Sequence, residues 1–172
     1  MRERKARSSS AETPLTFALK RLARRSHSEG ELSKKMARAG YSPQEIGTAL
    51  SFLAERGYLN DAAFALEVAR AGAERKHWGP ARIHQKLKSL DLSEGDIESA
   101  LVEFFPDGAE EAAAKRALER FGKRGGPGGE RGRARAYRHL LGRGFSPEVV
   151  HRLVSAWDFG DTERRLNAIK DD

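Results

Sequence analysis

From residue 14 onward apolar positions recur at helical spacing, and no stretch alternates as a half-buried strand would. Leu15, Leu19 and Leu22, with Phe17 and Ala18, form one apolar face, and Lys20, Arg21, Arg24 and Arg25 form the other. Ser28-Glu29-Gly30-Glu31 has the form of a capping box and predicts a second helix from about residue 29. Leu32, Met36 and Ala39 are its inward stripe. Gly40 stops that helix, because the residue just past a helix end is often left-handed, where a Cβ is strained. Two residues later Ser42 can cap a new helix, Pro43 suits its first position, and Glu45 stands where a capping box needs a carboxylate. Tyr41, before the cap, can close a hydrophobic staple on Ile46. This third helix runs to about Arg56, with Ile46, Ala49, Leu50 and Leu53 inward, and Gly57 ends it.

The stop–start pattern returns. It reads Leu92-Ser93-Glu94-Gly95-Asp96-Ile97 and then Gly144-Phe145-Ser146-Pro147-Glu148-Val149-Val150, so Ser42, Ser93 and Ser146 stand 51 and 53 residues apart. Between the first two copies, Asn60 caps a helix with Phe64, Ala65, Val68 and Ala69 that ends near His77, and Trp78-Gly79-Pro80 breaks the chain. Ile83, Leu87 and Leu90 then reproduce the spacing of Leu32, Met36 and Ala39. Asp91 replaces the glycine of the other copies, and aspartate tolerates the left-handed conformation better than most residues. The next helix, Glu94 to Phe104, turns Ile97, Leu101 and Phe104 inward. After Phe105-Pro106-Asp107-Gly108, an alanine-rich helix from about Ala109 to Lys123 turns Ala114, Leu118 and Phe121 inward. A glycine-rich loop at 125–132 follows, and then Tyr137, Leu140 and Leu141 face in, with Val150, Leu153, Val154 and Trp157 completing the last helix.

The expected fold is therefore all-α: three tandem three-helix repeats, which pack end to end in an elongated array because one such unit has too small a core to stand alone. The expected boundaries are a disordered basic arm at 1–13, repeats at 14–58, 59–105 and 106–160, and a polar tail at 161–172.

Composition narrows the class. No apolar run approaches the roughly 20 residues that span a bilayer, the basic N-terminus has no apolar segment behind it, and the absence of cysteine excludes disulfides and thiolate metal sites. These features agree with a cytoplasmic location. The 32 Lys/Arg against 25 Asp/Glu give +7, distributed in blocks. Residues 91–111 hold 8 acids and no Lys or Arg, whereas residues 112–143 hold 10 Lys/Arg against 2 acids. Such alternation points to a polyanion, or to a protein of complementary charge pattern, as partner.

Catalytic chemistry finds no support. His27, His77, His84, His139 and His151 form no helical metal-ligand pair, and we assign them to surface or hinge polarity. The glycine run lacks the Lys-Ser/Thr of a phosphate loop, and Asp61, Glu67 and Glu74 pair with no base. No cofactor is expected. The candidates for DNA phosphate contact are basic: Lys20, Arg21, Arg24 and Arg25; Arg75 and Lys76, beside His77 and Trp78; Arg82 and Lys86; and Arg131, Arg135 and Arg138 at i, i+4, i+7. A major-groove reader is disfavoured, because Glu45, Glu55, Glu94, Asp96, Glu98 and Glu103 on the helices after the tight turns would repel phosphates.

Four stretches carry a family resemblance: Ala-Leu-Lys-Arg-Leu-Ala-Arg-Arg-Ser-His-Ser-Glu-Gly-Glu-Leu at 18–32, Gly-Tyr-Ser-Pro at 40–43, Leu-Ala-Glu-Arg-Gly-Tyr-Leu-Asn-Asp-Ala-Ala-Phe-Ala at 53–65, and Gly-Pro-Ala-Arg-Ile-His-Gln-Lys-Leu at 79–87. Together they resemble the RecX family of regulatory proteins, over residues 15 to 157 and most strongly over 18–104. The resemblance implies three tandem three-helix repeats and a non-enzymatic modulator of the RecA recombinase. Such a protein lodges in the groove of the RecA filament on DNA and suppresses its ATPase, strand exchange and co-protease activities, and several members bind DNA directly. It implies no catalytic residues. The departures are Asp91 for a glycine, the insertion at 125–132, and a weakly matching third repeat.

Overall fold

A computed structural model describes residues 12–123 and 128–157. All but the last two residues of the expected basic arm, residues 125–127 of the glycine-rich loop with residue 124 before it, and the polar tail with residues 158–160 lie outside the described residues. The described residues form helices and no strand: α1 Pro14–Leu22, α2 Glu29–Ala39, α3 Pro43–Glu55, α4 Asp61–Arg70, α5 Pro80–Lys88, α6 Glu94–Phe104, α7 Ala109–Lys123, α8 Gly129–Gly142 and α9 Pro147–Ala156. A π-helical turn, Ala71–Arg75, continues α4. The described residues divide into two compact units, 12–64 with 90–92, and 65–89 with 93–123 and 128–157.

In the first unit, Phe17, Ala18, Leu32, Met36, Ile46, Ala49, Leu50, Leu53 and Leu59 make one core, with Leu15, Leu22, Ala39 and Tyr41 packed against it. The inward stripe read for α3 is buried in full. Leu19 departs from expectation: at 37% exposure it stands at the rim, because Phe17 and Ala18 already fill the space toward α3. Arg24 and Arg25 also depart, since α1 ends at Leu22 and they lie in the following turn instead of on a helix face. Tyr41 meets Phe17 edge to face at 5.4 Å, and its hydroxyl donates to the Glu12 carbonyl at 2.8 Å, which ties the start of α1 to the α2–α3 turn.

The three turns between paired helices follow one backbone plan. Gly40, Asp91 and Gly144 have φ of 88°, 58° and 83°. In the first, Ser42 Oγ accepts from Glu45 N at 3.3 Å while a Glu45 carboxylate oxygen accepts from Ser42 N at 2.7 Å, a complete capping box. In the second, Ser93 Oγ accepts from Asp96 N at 3.1 Å. The third differs. Ser146 makes no side-chain cap bond, and Val149 at the third helical position offers no carboxylate to the Ser146 N–H, which donates instead at 2.6 Å to Glu110 of α7.

The box expected at Ser28–Glu31 is half made. Ser28 Oγ accepts from Glu31 N at 3.0 Å, but the Glu31 carboxylate takes both arms of Arg25. Asp61 covers another exposed amide at this helix start, accepting from Glu29 N at 3.0 Å.

In the second unit, Ala114, Ala117, Leu118, Ala136, Leu140, Phe145, Val149, Val150 and Val154 form the core joining α7, α8 and α9. The glycine-rich segment is shorter as a loop than expected, for α8 begins at Gly129. Gly132 is buried at the head of the stripe Gly132, Ala136, Leu140. Leu141, expected inward, is 37% exposed, because the stripe passes through Leu140.

Both units contain the same docking contact. Ser28 Oγ donates to the Leu90 carbonyl, and 51 and 53 residues further along the Gly79 N–H donates to the Arg143 carbonyl at 2.7 Å. In each, the start of the middle helix of one repeat grips the residue just before the left-handed turn of the next. Close approach makes it possible. A Cβ on Gly30 would lie 2.6 Å from Asp91 O, and one on Gly79 would lie 2.4 Å from Gly144 O.

Candidate nucleic-acid interface

The basic residues behave differently in the two units. In the first, Lys20 pairs with Glu12 at 2.9 Å and Arg21 lies 4.2 Å from the Phe17 ring centre. Arg25 donates to Glu31 through both terminal nitrogens, at 2.9 and 3.1 Å. That hydrogen bond raises the Arg25 pKa, burial opposing it. Burial pushes Glu31 up, but the hydrogen bond and charge of Arg25 outweigh it and hold Glu31 below the ordinary carboxylate value. Only Arg24 of the four is exposed without an ion pair among the described residues.

His27 corrects the expectation of surface polarity. It is 6% exposed, and Nδ1 stands 3.3 Å from Glu31 without hydrogen-bond alignment. Burial and then the nearby Arg25 charge lower its pKa, against the pull of Glu31. At the surface, His84 Nε2 meets Glu94 at 2.7 Å, and that bond lowers the Glu94 pKa.

In the second unit cations converge. Lys76 Nζ and the Arg82 guanidinium lie 4.4 and 4.9 Å from the Trp78 ring centre. Arg82 also donates to the Gly142 carbonyl. Arg75 and Lys76 line a hollow of about 320 Å³ with Arg120 and Arg143, and no carboxylate lines it among the described residues. Arg135 lies 5.6 Å from the ring of Phe121, which forms part of the wall. Arg131 and Arg138 are exposed on α8 and Lys86 is half-buried on α5, and none of the three lines the hollow.

Sequence reasoning missed four polar contributors to this hollow: His77, Arg120, His139 and Arg143. The excess of basic residues at 112–143 was a signal, but helical spacing alone does not tell which of them meet Arg75 and Lys76. Among the described residues no group of three or more His, Asp or Glu is placed to hold a metal ion. Nor is any helix long and apolar enough to cross a membrane.

Models of the first, second and third three-helix domains of RecX match residues 15–53, 60–101 and 109–154, in that order. The chain belongs to the RecX family. It is 37% identical to the regulatory protein RecX of Halorhodospira halophila over 144 residues, covering 84% of this chain and 88% of that protein. It is likewise 37% identical to the RecX of Pseudomonas entomophila over 144 residues, covering 84% and 91%. The fold agrees with solved structures. RecX from Lactobacillus salivarius superposes with a TM-score of 0.70 at 18% identity, over 83% of this chain and 92% of that one. A second RecX crystal structure gives 0.69 at 23% identity, over 84% and 72%. RecX relatives are thus named as regulatory proteins, and the three-helix repeats expected from the spacing of the serine turns are the domains of that family.

Proposed function

We propose that this chain is a non-catalytic regulator that binds the RecA recombinase and its filament on DNA, and lowers RecA's ATPase, strand-exchange and co-protease activities. The observation that carries the reading is the ordered match of three RecX domains across residues 15–154. Three repeats on one chain can engage more than one filament protomer. Once the first contact is made, the second is intramolecular and gains from high effective concentration. Protomers held at a fixed spacing cannot make the movements that ATP turnover between them needs. The basic residues of the second unit meet DNA phosphates, while the acidic block at 91–111 faces basic filament residues. The protein acts as a monomer in the cytoplasm, as part of recombinational repair and the SOS response.

The test is a titration of RecA's ATPase on single-stranded DNA. Sub-stoichiometric protein lowers the rate; an unchanged rate and filament length at excess protein would sink the reading. Replacing Arg131, Arg135 and Arg138 by Glu weakens filament or DNA binding while leaving the melt nearly in place, since exposed charges contribute about 0–1 kcal/mol each.

The cations gathered in the second unit favour a second reading, a non-specific DNA-binding helical repeat protein that acts without RecA. It requires salt-sensitive binding of naked DNA with no effect on the recombinase. A gel shift beside the ATPase titration separates the two.

A further inference from the structure

The first unit carries an open groove of about 540 Å³ between the start of α1 and the outer face of α3. Pro14 and Leu15 of α1 and Ala49 and Phe52 of α3 give it an apolar lining, to which Gln44 and Thr48 add polar side chains. The helix stripes explain why it is there. Ile46, Ala49, Leu50 and Leu53 are the buried positions of α3, and Phe52 falls outside that stripe at 38% exposure. Phe17 and Ala18 take the buried places of α1, so Leu15 stays half-buried at the groove. A large aromatic left at the surface beside an unfilled apolar groove is the pattern of a docking surface, not of a core.

Charge at the groove indicates what fits it. The lining holds one carboxylate, Glu45, whose Oε2 accepts from Ser42 N and Ser42 Oγ at 2.7 and 2.8 Å. One helical turn beyond Phe52, the Arg56 guanidinium lies 4.9 Å from the Phe52 ring centre. Elsewhere in this unit Lys20, Arg25 and Lys34 each meet a carboxylate. Arg56 is exposed and has neither an ion pair nor a side-chain hydrogen bond among the described residues. Its N–H donors are left for an incoming acceptor. Aromatic and arginine side chains beside an apolar pocket carry most of the energy of many protein–protein contacts. A nucleic-acid backbone is a poor occupant: it brings a row of phosphates, and the groove offers one guanidinium, an apolar lining and a carboxylate.

We propose that this groove docks a short segment of RecA, with an apolar side chain seated between α1 and α3 and a neighbouring Asp or Glu paired with Arg56. The proposal rests on the RecA reading above and adds to it the surface of the first unit and the chemistry of the segment that it takes.

The test uses the full chain, fluorescein-labelled, and RecA both free and as its filament on single-stranded DNA; the free form excludes phosphate contacts. Thr48→Tyr fills the groove from an exposed position, and Arg56→Glu reverses the charge beside Phe52. Each weakens RecA binding about tenfold, whereas Arg38→Glu, an equal charge change at an exposed α2 position that does not line the groove, changes it less than about twofold. Added salt narrows the loss from Arg56→Glu and leaves that from Thr48→Tyr. A thermal melt checks that each variant is folded; Gln44→Tyr, also exposed in the lining, serves if Thr48→Tyr is not. Native-like RecA binding by both variants overturns the proposal and leaves the RecA reading in place. A native chain that binds neither form of RecA removes that reading, and the proposal with it. Tighter binding by Arg56→Glu means a basic segment and overturns the proposal, as does an equal loss in Arg38→Glu. A native chain that sediments as a dimer, with Thr48→Tyr a monomer, gives the groove to a second copy and overturns it too.

Discussion

The turn from Gly40 to Ser42 and the turn from Gly144 to Ser146 share a Gly-aromatic-Ser-Pro sequence and are held in different ways. The first is capped locally: Ser42 and Glu45, three residues apart, bond each other, and Gly40 is exposed. The third depends on distant parts of the chain. Glu110 of α7 accepts from Ser146 N, and Gly144 is pressed against α5, where its carbonyl accepts from Ala81 N at 3.1 Å. A capping box needs an acid at the third helical position, and where that residue is Val149 the tertiary fold supplies one from elsewhere. Similar turn sequences thus specify similar backbone angles without specifying the same supports.

The largest break in this comparison is expected at the glycines. A Cβ on Gly144 would lie 2.4 Å from Arg82 N, and φ is +83°. Gly144→Ala is therefore expected to cost about 3–5 kcal/mol, read as a drop in denaturation midpoint. Gly40, exposed and at φ +88°, is expected to lose about 1–2 kcal/mol from left-handed strain in Gly40→Ala. Equal losses would mean that the docking contact adds nothing.

The serines come next. Ser28→Ala removes both the cap on α2 and the buried bond to the Leu90 carbonyl, and is expected to cost about 2 kcal/mol. Ser42→Ala should cost about 1 kcal/mol, and Ser146→Ala, whose side chain makes no cap bond, less than about 0.5 kcal/mol. A Ser146→Ala loss as large as that of Ser42→Ala would show that the third turn is capped locally after all. Glu110→Ala sharpens the point from the other side: it should cost about 1 kcal/mol, with faster amide exchange at the start of α9 and no change at α3.

The smallest effect is a pH slope in the first unit. His27 has a folded pKa below its ordinary value of 6.5, so between the two values the unfolded chain binds more protons. Its contribution to stability is whole above about pH 6.5 and is lost as pH falls through the folded pKa. Glu31, also lowered, adds a further loss below its ordinary 4.5. His27→Gln should flatten the melting-temperature profile on the acid side of about pH 6.5 and leave the loss at lower pH from Glu31. An unchanged profile would show that His27 protonates freely.

The sequence determined what is local. Helix ends follow from Pro43, Ser42 and Gly40 because capping and left-handed turns act within a few residues. Asp91 was legible as a left-handed residue for the same reason, and the 51- and 53-residue spacings pointed to the three-helix repeat. Even the candidate hollow was legible in part, through Arg75 and Lys76 beside Trp78. Contacts across about 40 to 70 residues were decided by the tertiary structure alone: Glu110 on Ser146, Gly79 on Arg143, Arg120 on His77 and Arg143 on Lys76. Periodicity marks which side of a helix turns inward, but not which neighbour it meets. Whether an arginine ends on a carboxylate, as Arg25 does, or on an imidazole, as Arg120 does, depends on that neighbour.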